Sequence, residues 1–413
     1  MKGFSCIACA TTQAADFAGF LCPDCGGNLD ISYDYDAVID DIERSGIDRA
    51  RSIFRYAAFL PVAKPAERFP LRIGRTPLYE AQRLGATQGL RNLYLKDDTT
   101  NPSSSSKDRA SAVAVRRAMD IGADVVSVAS TGNAASSLAC VAAAVGMPAV
   151  VFVPDSAPAA KLAQCLSFGA TVLAVRGSYD DAFDLCLAAS EEFGWFNRST
   201  GYNPFTREGK KVCAYEIWES LDGRAPDRIV VPTGDGNLLS GMWKGWCDLQ
   251  AVGLIDELPK IDCAQSESSA AISQTVRQVR PAEHVDWSAV ELASVHAATV
   301  ADSIAVDRPR DGLAAVKAVI ESGGEAITVH DDDILAAIPE MSRLSGVFPE
   351  PAAAASWAAV RQMAQERIIE TDELVVCLVS GSGLKDTSGA LQASAKPITI
   401  DASIDAVREA LKP

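Results

Sequence analysis

From Asp124 onward the chain repeats one pattern: a short β-branched run, a turn of small residues, then a longer run with apolar positions at helical spacing. Residues 125–129, 149–153 and 171–175 read as strands, and 131–145, 159–168 and 179–193 as the helices that follow them. Strands apolar at nearly every position, each followed by a helix, imply a parallel sheet covered on both faces. The pattern then starts again. Strands are expected at 228–232, 261–264, 326–329 and 374–379, with helices at 238–250, 312–320, 334–344 and 351–364. Asp331, Asp332 and Asp333 open the third of these helices as cap and dipole partners. Two α/β lobes make a cleft between them. Upstream, 93–95 reads as a short strand that Pro102 and four serines stop, and 110–121 as the helix they open. Residues 31–70 read as a linker with one helical piece, 35–45.

Length and composition narrow this picture. At 413 residues the chain exceeds one ordinary core, so two or three domains are expected. Mean hydropathy is +0.08, yet no uninterrupted apolar run reaches the roughly 18 residues a membrane span needs. The longest candidate, 138–153, is broken at Gly146-Met147-Pro148. Lys2 is followed by almost no apolar core, so no secretory signal is read, and a soluble cytoplasmic protein is expected. The net charge of −16 argues against nucleic acid as a partner.

Eleven cysteines fall into two groups. Seven are scattered in apolar surroundings and read as small buried hydrophobes in a reducing compartment. The other four form two knuckles, Cys6-x2-Cys9 and Cys22-x2-Cys25, which together can close a tetrahedral zinc site. Such a site has no open position, so the zinc is expected to be structural. The three histidines are too dispersed for a metal site or a triad.

The candidate chemistry sits in four loops. Lys107, in Asn101-Pro102-Ser103-Ser104-Ser105-Ser106-Lys107-Asp108-Arg109, stands at the mouth of a helix, where the dipole favours a neutral amine. Neutral amines form Schiff bases with aldehydes, pyridoxal phosphate included. Ser130-Thr131-Gly132-Asn133 lines a helix N-terminus suited to a carboxylate, and Asn133 can donate to a phenolate oxygen. Thr233-Gly234-Asp235-Gly236-Asn237 has the glycines that let amides approach a phosphate, with the Asp235 carboxylate expected to point away. Ser380, in Ser380-Gly381-Ser382-Gly383, places a neutral hydroxyl at a strand end, where it can meet a pyridine nitrogen.

Together these stretches resemble the fold-type-II pyridoxal phosphate enzymes, and most closely the threonine synthase family. Leu29-Asp30-Ile31-Ser32-Tyr33-Asp34, Gly346-Val347-Phe348-x-Glu350-Pro351-Ala352 and Ser380-Gly381-x-Gly383-Leu384-Lys385-Asp386 add to the likeness. The resemblance implies an α/β fold with two parallel-sheet lobes of the tryptophan synthase beta-like type and a zinc-ribbon-like segment at 1–35. A large cofactor-binding domain is expected at 36–100 with 205–413, and a smaller one at 101–204 that closes over the substrate. The implied cofactor residues are Lys107, Asn133, Gly234, Asp235, Gly236, Asn237 and Ser380. Those for an amino-acid substrate are Ser105, Ser130, Thr131, Gly132, Asn203 and Arg207. A homodimer is expected.

The implied activity is loss of phosphate from O-phosphohomoserine and addition of water to give L-threonine, with Lys107 moving the protons. Two features depart from the family pattern. Ser106 stands where a bulky aromatic is usual, and Thr206 where an arginine usually helps hold the substrate phosphate. Arg207 is one position later, which on a helix is a rotation of about 100°. Lys210 and Lys211 read as a solvated face. Two alternatives stay open: β-replacement or β-elimination on a serine-like or phosphoserine-like amino acid, and a non-catalytic zinc-ribbon interaction protein.

Overall fold

A computed structural model describes residues 1–45, 52–63, 69–282 and 284–411. The head is a three-stranded antiparallel sheet of β1 (Gly3–Cys6), β2 (Thr12–Ala14) and β3 (Leu29–Ser32), with β1 in the centre. An antiparallel pair follows, β4 (Leu78–Glu80) and β5 (Asn92–Asp97). The chain then leaves for a separate parallel sheet of β6 (Val126–Ala129), β7 (Ala149–Pro154), β8 (Thr171–Val175) and β9 (Phe196–Asn197), in the order β8-β7-β6-β9. It returns as β10 (Arg228–Pro232), β11 (Lys260–Ser266), β12 (Ala326–Val329) and β13 (Leu374–Val379). These join the earlier pair in a six-stranded sheet, β12-β11-β10-β13-β5-β4, parallel except at β4. This is the fold-type-II α/β architecture. No helix among the described residues is long and apolar enough to cross a membrane.

The register explains how distant segments meet. β13 is flanked by β5 (Leu95 opposite Cys377) and by β10 (Val230 opposite Cys377), so the loops after all three strands open at one sheet edge. Carboxyl ends of parallel strands are where such sheets bind ligands.

Two expectations need correction. The segment read as a linker contains a buried 3₁₀ helix, Ile53–Phe59, whose Tyr56 and Phe59 rings lie 5.2 and 4.9 Å from the ring of Tyr215. Burying four of its side chains fixes this segment to the core. Residues 46–51 and 64–68 of the expected linker lie outside the described residues. Lys210 and Lys211 are not a solvated face either. The helix Phe205–Ser220 is buried from Phe205 through Ile217. Lys211 pairs with Glu208 at 2.6 Å and Asp248 at 2.7 Å, and its Nζ lies 4.0 Å from the Tyr33 ring centroid.

Candidate active site

The helix Lys107–Asp120 begins at Lys107 itself, with no side chain capping its amino end. The loop before it is strapped to the loop after β13: the Ser106 amide donates to the Ser380 carbonyl at 2.7 Å, and Ser105 and Gly381 form an isolated bridge. Ser103 is fixed by Asp108, whose carboxylate accepts from the Ser103 amide at 2.7 Å and from its hydroxyl. These restraints aim Lys107 into a cavity of about 1120 Å³. Burial pushes its ammonium below the usual value of 10.5; the charge of Arg198 adds to this, and Glu350 and Asp235 oppose it. Desolvation, rather than the helix dipole alone, favours the neutral amine here.

Glu350 is the residue the sequence reading missed. It is 2% exposed and stands just before the helix Pro351–Gln365 without capping it, and its amide donates to the Gly381 carbonyl at 2.9 Å. Asn133 Nδ2 donates to its two carboxylate oxygens at 3.0 and 3.1 Å, and to Ser303 Oγ at 3.3 Å. Burial raises the Glu350 carboxyl above the ordinary range, while Asn133 and Lys107 pull it down. Nothing local marked it: an acid before a helix-opening proline reads as an ordinary helix start, and only the fold buries it and supplies its partner.

The glycine turn forms the far wall. Gly236 has φ of +92°, and a Cβ there would lie 2.8 Å from both Ala315 Cβ and the Asp311 carbonyl oxygen. The helix Asn237–Ala251 that it starts has no side-chain cap, so its first amides face the cavity side of the turn. Asp235 also lines the cavity. Its carboxylate accepts from the Arg310 amide at 2.6 Å, and burial, with Asp311 adding, lifts it to about 6. The carboxylate expected to point away from the phosphate is tied to the Arg310 backbone.

The cavity brings together Lys107, Ser130, Gly234, Asp235, Gly236, Asn237 and Ser380, with Asn133 joined to it through Glu350. Thr131 and Gly132 sit half-exposed on its rim between Ser130 and Asn133. Ser105 is buried beneath Lys107, and its hydroxyl has no partner. Asn203 and Arg207, expected to touch substrate, are framework instead. The Asn203 amide bonds the Asn197 carbonyl at 2.7 Å and the Phe205 N–H at 2.8 Å. Arg207 is spent on Asp30 at 2.8 Å, on Asp311, and on Ser240 at 3.2 Å. Its guanidinium points toward β3 because the helical rotation from position 206 carries it there.

These residues fit pyridoxal phosphate. A desolvated amine suits its aldehyde, a set of uncapped amides suits its phosphate, and a hydroxyl at the end of β13 suits its ring nitrogen. Fold and site together define a pyridoxal phosphate-dependent enzyme, and residues 70–381 match the family described as "Pyridoxal-phosphate dependent enzyme". The chain is 36% identical to the threonine synthase of Methanocaldococcus jannaschii over 98% of both chains. It is 37% identical to that of Methanosarcina acetivorans, over 100% of this chain and 99% of the relative. It belongs to the threonine synthase family. Among solved structures, a threonine deaminase isoform 2 from Solanum lycopersicum superposes with a TM-score of 0.65 at 20% identity, covering 77% of this chain and 87% of that one.

The four head cysteines also converge. Their sulfurs lie within 4.8 Å of one another, with Cys6–Cys25 and Cys9–Cys25 at 3.4 Å and Cys9–Cys22 at 3.7 Å. A tetrahedron with metal–sulfur bonds of about 2.3 Å has sulfur–sulfur edges of about 3.8 Å, so the set is close to a zinc site.

Proposed function

We propose that this enzyme converts O-phosphohomoserine and water to L-threonine and phosphate. The supporting observation is the desolvated Lys107 in a cavity walled by the uncapped Gly236–Asn237 helix start, in a chain that matches threonine synthases over nearly its whole length. When bound, pyridoxal phosphate supplies an aldehyde for the amine and a ring that stabilises negative charge at the substrate α carbon. Lys107 Nζ would hold the aldehyde and, as a free amine, would accept the α proton. Glu350 faces the ammonium that results and steadies it. The Ser130–Asn133 helix start receives the substrate carboxylate, and Ser380 meets the ring nitrogen. Arg310, lying 3.9 Å over the Phe183 ring, bridges the two lobes beside the cavity and limits entry of bulk water. The reading carries with it a cytoplasmic homodimer with no nucleic-acid partner, consistent with the charge of −16.

The test is incubation of holoenzyme with O-phosphohomoserine, measuring phosphate and threonine together. Equal amounts of the two are expected. Phosphate without threonine, or turnover of a phosphoserine-like substrate in place of O-phosphohomoserine, overturns the reading.

We assign a structural zinc to Cys6, Cys9, Cys22 and Cys25. The ribbon is wired to the glycine turn: Asn28 Nδ2 donates to the Asp311 carboxylate at 3.1 Å, and Asp311 accepts from Asn237 Nδ2 at 2.8 Å. Stripping the metal with a chelator is therefore expected to lower thermal stability by a few degrees, about 2 kcal/mol or more in a chain of this size. It is also expected to weaken cofactor retention, seen as faster loss of absorbance on dialysis. Unchanged melting and retention after metal analysis reads zero would refute the wiring.

A further inference from the structure

Buried cations in this molecule are, with few exceptions, matched to acids. Lys96 pairs with Glu216 at 2.8 Å, Lys211 with Glu208 at 2.6 Å, Arg228 with Asp262 at 2.8 Å and Lys244 with Glu208 at 2.6 Å. Arg109 and Arg207 likewise have carboxylate partners. Lys210 breaks the rule. It is 1% exposed and lines the cavity, yet no carboxylate among the described residues comes within 4 Å of its Nζ. Its hydrogen bond goes to a neutral acceptor, Asn237 Oδ1 at 2.7 Å, on the first residue of the uncapped helix.

Arg198 breaks it too. It is fully buried, held by Ser111 Oγ at 3.1 Å and Thr200 Oγ1 at 2.9 Å, and its Nη2 has no partner. Lys107, Lys210 and Arg198 are close enough to repel one another. Lys210 and Arg198, buried without an ion pair, are costly to keep charged unless an anion joins them.

Packing holds Lys210 in this position. Its helix runs between two others with glycines at the contacts. A Cβ on Gly209 would lie 2.8 Å from Ala110 Cα, and one on Gly241 would lie 3.0 Å from Lys210 Cβ. With neighbours on both sides, the helix cannot roll to carry Lys210 out of the cavity.

We propose that Lys210, backed by Arg198, binds a phosphate monoester dianion in the cavity, and that this dianion is the phosphate the substrate loses. The second part rests on the proposed function. Arg207, the cation expected from sequence to hold that phosphate, is committed to Asp30 and Asp311. A lysine without an acid partner supplies the charge instead, and it recognises phosphate as a point charge.

Inorganic phosphate, titrated calorimetrically into holoenzyme, tests the site without turnover. Lys210→Gln and Arg198→Gln are each expected to weaken phosphate binding about 10- to 100-fold, and Lys210→Arg to retain it. In turnover, Lys210→Gln is expected to raise KM for the phosphorylated substrate more than it lowers kcat. Pyridoxal phosphate affinity, from absorbance titration of apoprotein, separates the two sources of phosphate. Weaker cofactor binding with unchanged phosphate binding assigns Lys210 to the cofactor and overturns the proposal. Phosphate affinity unchanged in both glutamine variants overturns it as well. If O-phosphohomoserine is not a substrate while phosphate still binds through Lys210, the dianion site stands and the substrate reading falls.

Discussion

Lys107→Ala is expected to abolish turnover, by about 10⁴-fold or more, and to leave the protein unable to acquire the absorbance of a lysine-bound aldehyde. The size follows from the two roles placed on one atom. Nζ both holds the cofactor and moves the α proton, and no other amine replaces it. Lys210, the other lysine in the cavity, is bonded to Asn237 and lies on a different helix. The pH dependence carries the same prediction. Burial sets the Lys107 amine below its usual 10.5, so the rate at which apoprotein captures pyridoxal phosphate should rise with pH and level off below that value. Because the unfolded chain holds that proton more tightly, the group also makes the apoprotein more stable as pH rises from the folded value toward 10.5. A capture profile centred near 10.5, or a Lys107→Ala protein that stays yellow and active, would contradict this account.

What the sequence disclosed depended on how local the determinant was. The strands Thr171–Val175, Arg228–Pro232 and Leu374–Val379 fall where the β-branched runs placed them, and the helix Tyr179–Phe193 where the helical spacing did. The cysteine knuckles were legible because four thiols at fixed spacing are a short-range code. The helix Phe205–Ser220 was not read as buried, since Arg207, Glu208, Lys210, Lys211 and Glu216 make it look polar all round. Their partners, among them Asp30, Asp248 and Asp311, are far off in sequence, and only the assembled fold brings them close. Glu350 failed to register as a site residue for the same reason: its value lies in facing Lys107 and Asn133, more than 200 positions earlier. Strand order was equally hidden, because β13 pairs with β5 across some 280 residues of chain.

Beneath the catalytic loop the fold relies on charge, and replacing Glu216 should expose this. Its carboxylate accepts from Arg109 Nη1 and Nη2 at 2.8 and 2.7 Å, from Lys96 Nζ at 2.8 Å, and from the Arg75 amide at 2.7 Å. Asp98 completes the set, accepting from Arg109 Nε at 2.8 Å. Two cations face two acids, all four of them buried, so the cluster is neutral as built. Glu216→Ala leaves Lys96 and Arg109 with one acid between them, and the cost of an uncompensated buried charge is about 3–5 kcal/mol. Denaturant unfolding is expected to show most of that loss in Glu216→Gln as well, since the amide keeps the volume and removes the charge. Arg109 lies two residues beyond Lys107 on the same helix, so cofactor affinity should fall in parallel. Burial alone would raise the Glu216 carboxyl, but Arg109 and Lys96 outweigh it and hold it well below its usual 4.5. Its contribution is therefore fully present above pH 4.5 and is lost as pH falls below that value toward the folded one. The glutamine variant should lack this acid limb. An unfolding midpoint and acid limb both equal to wild type would mean that packing alone holds the Lys107 helix in place.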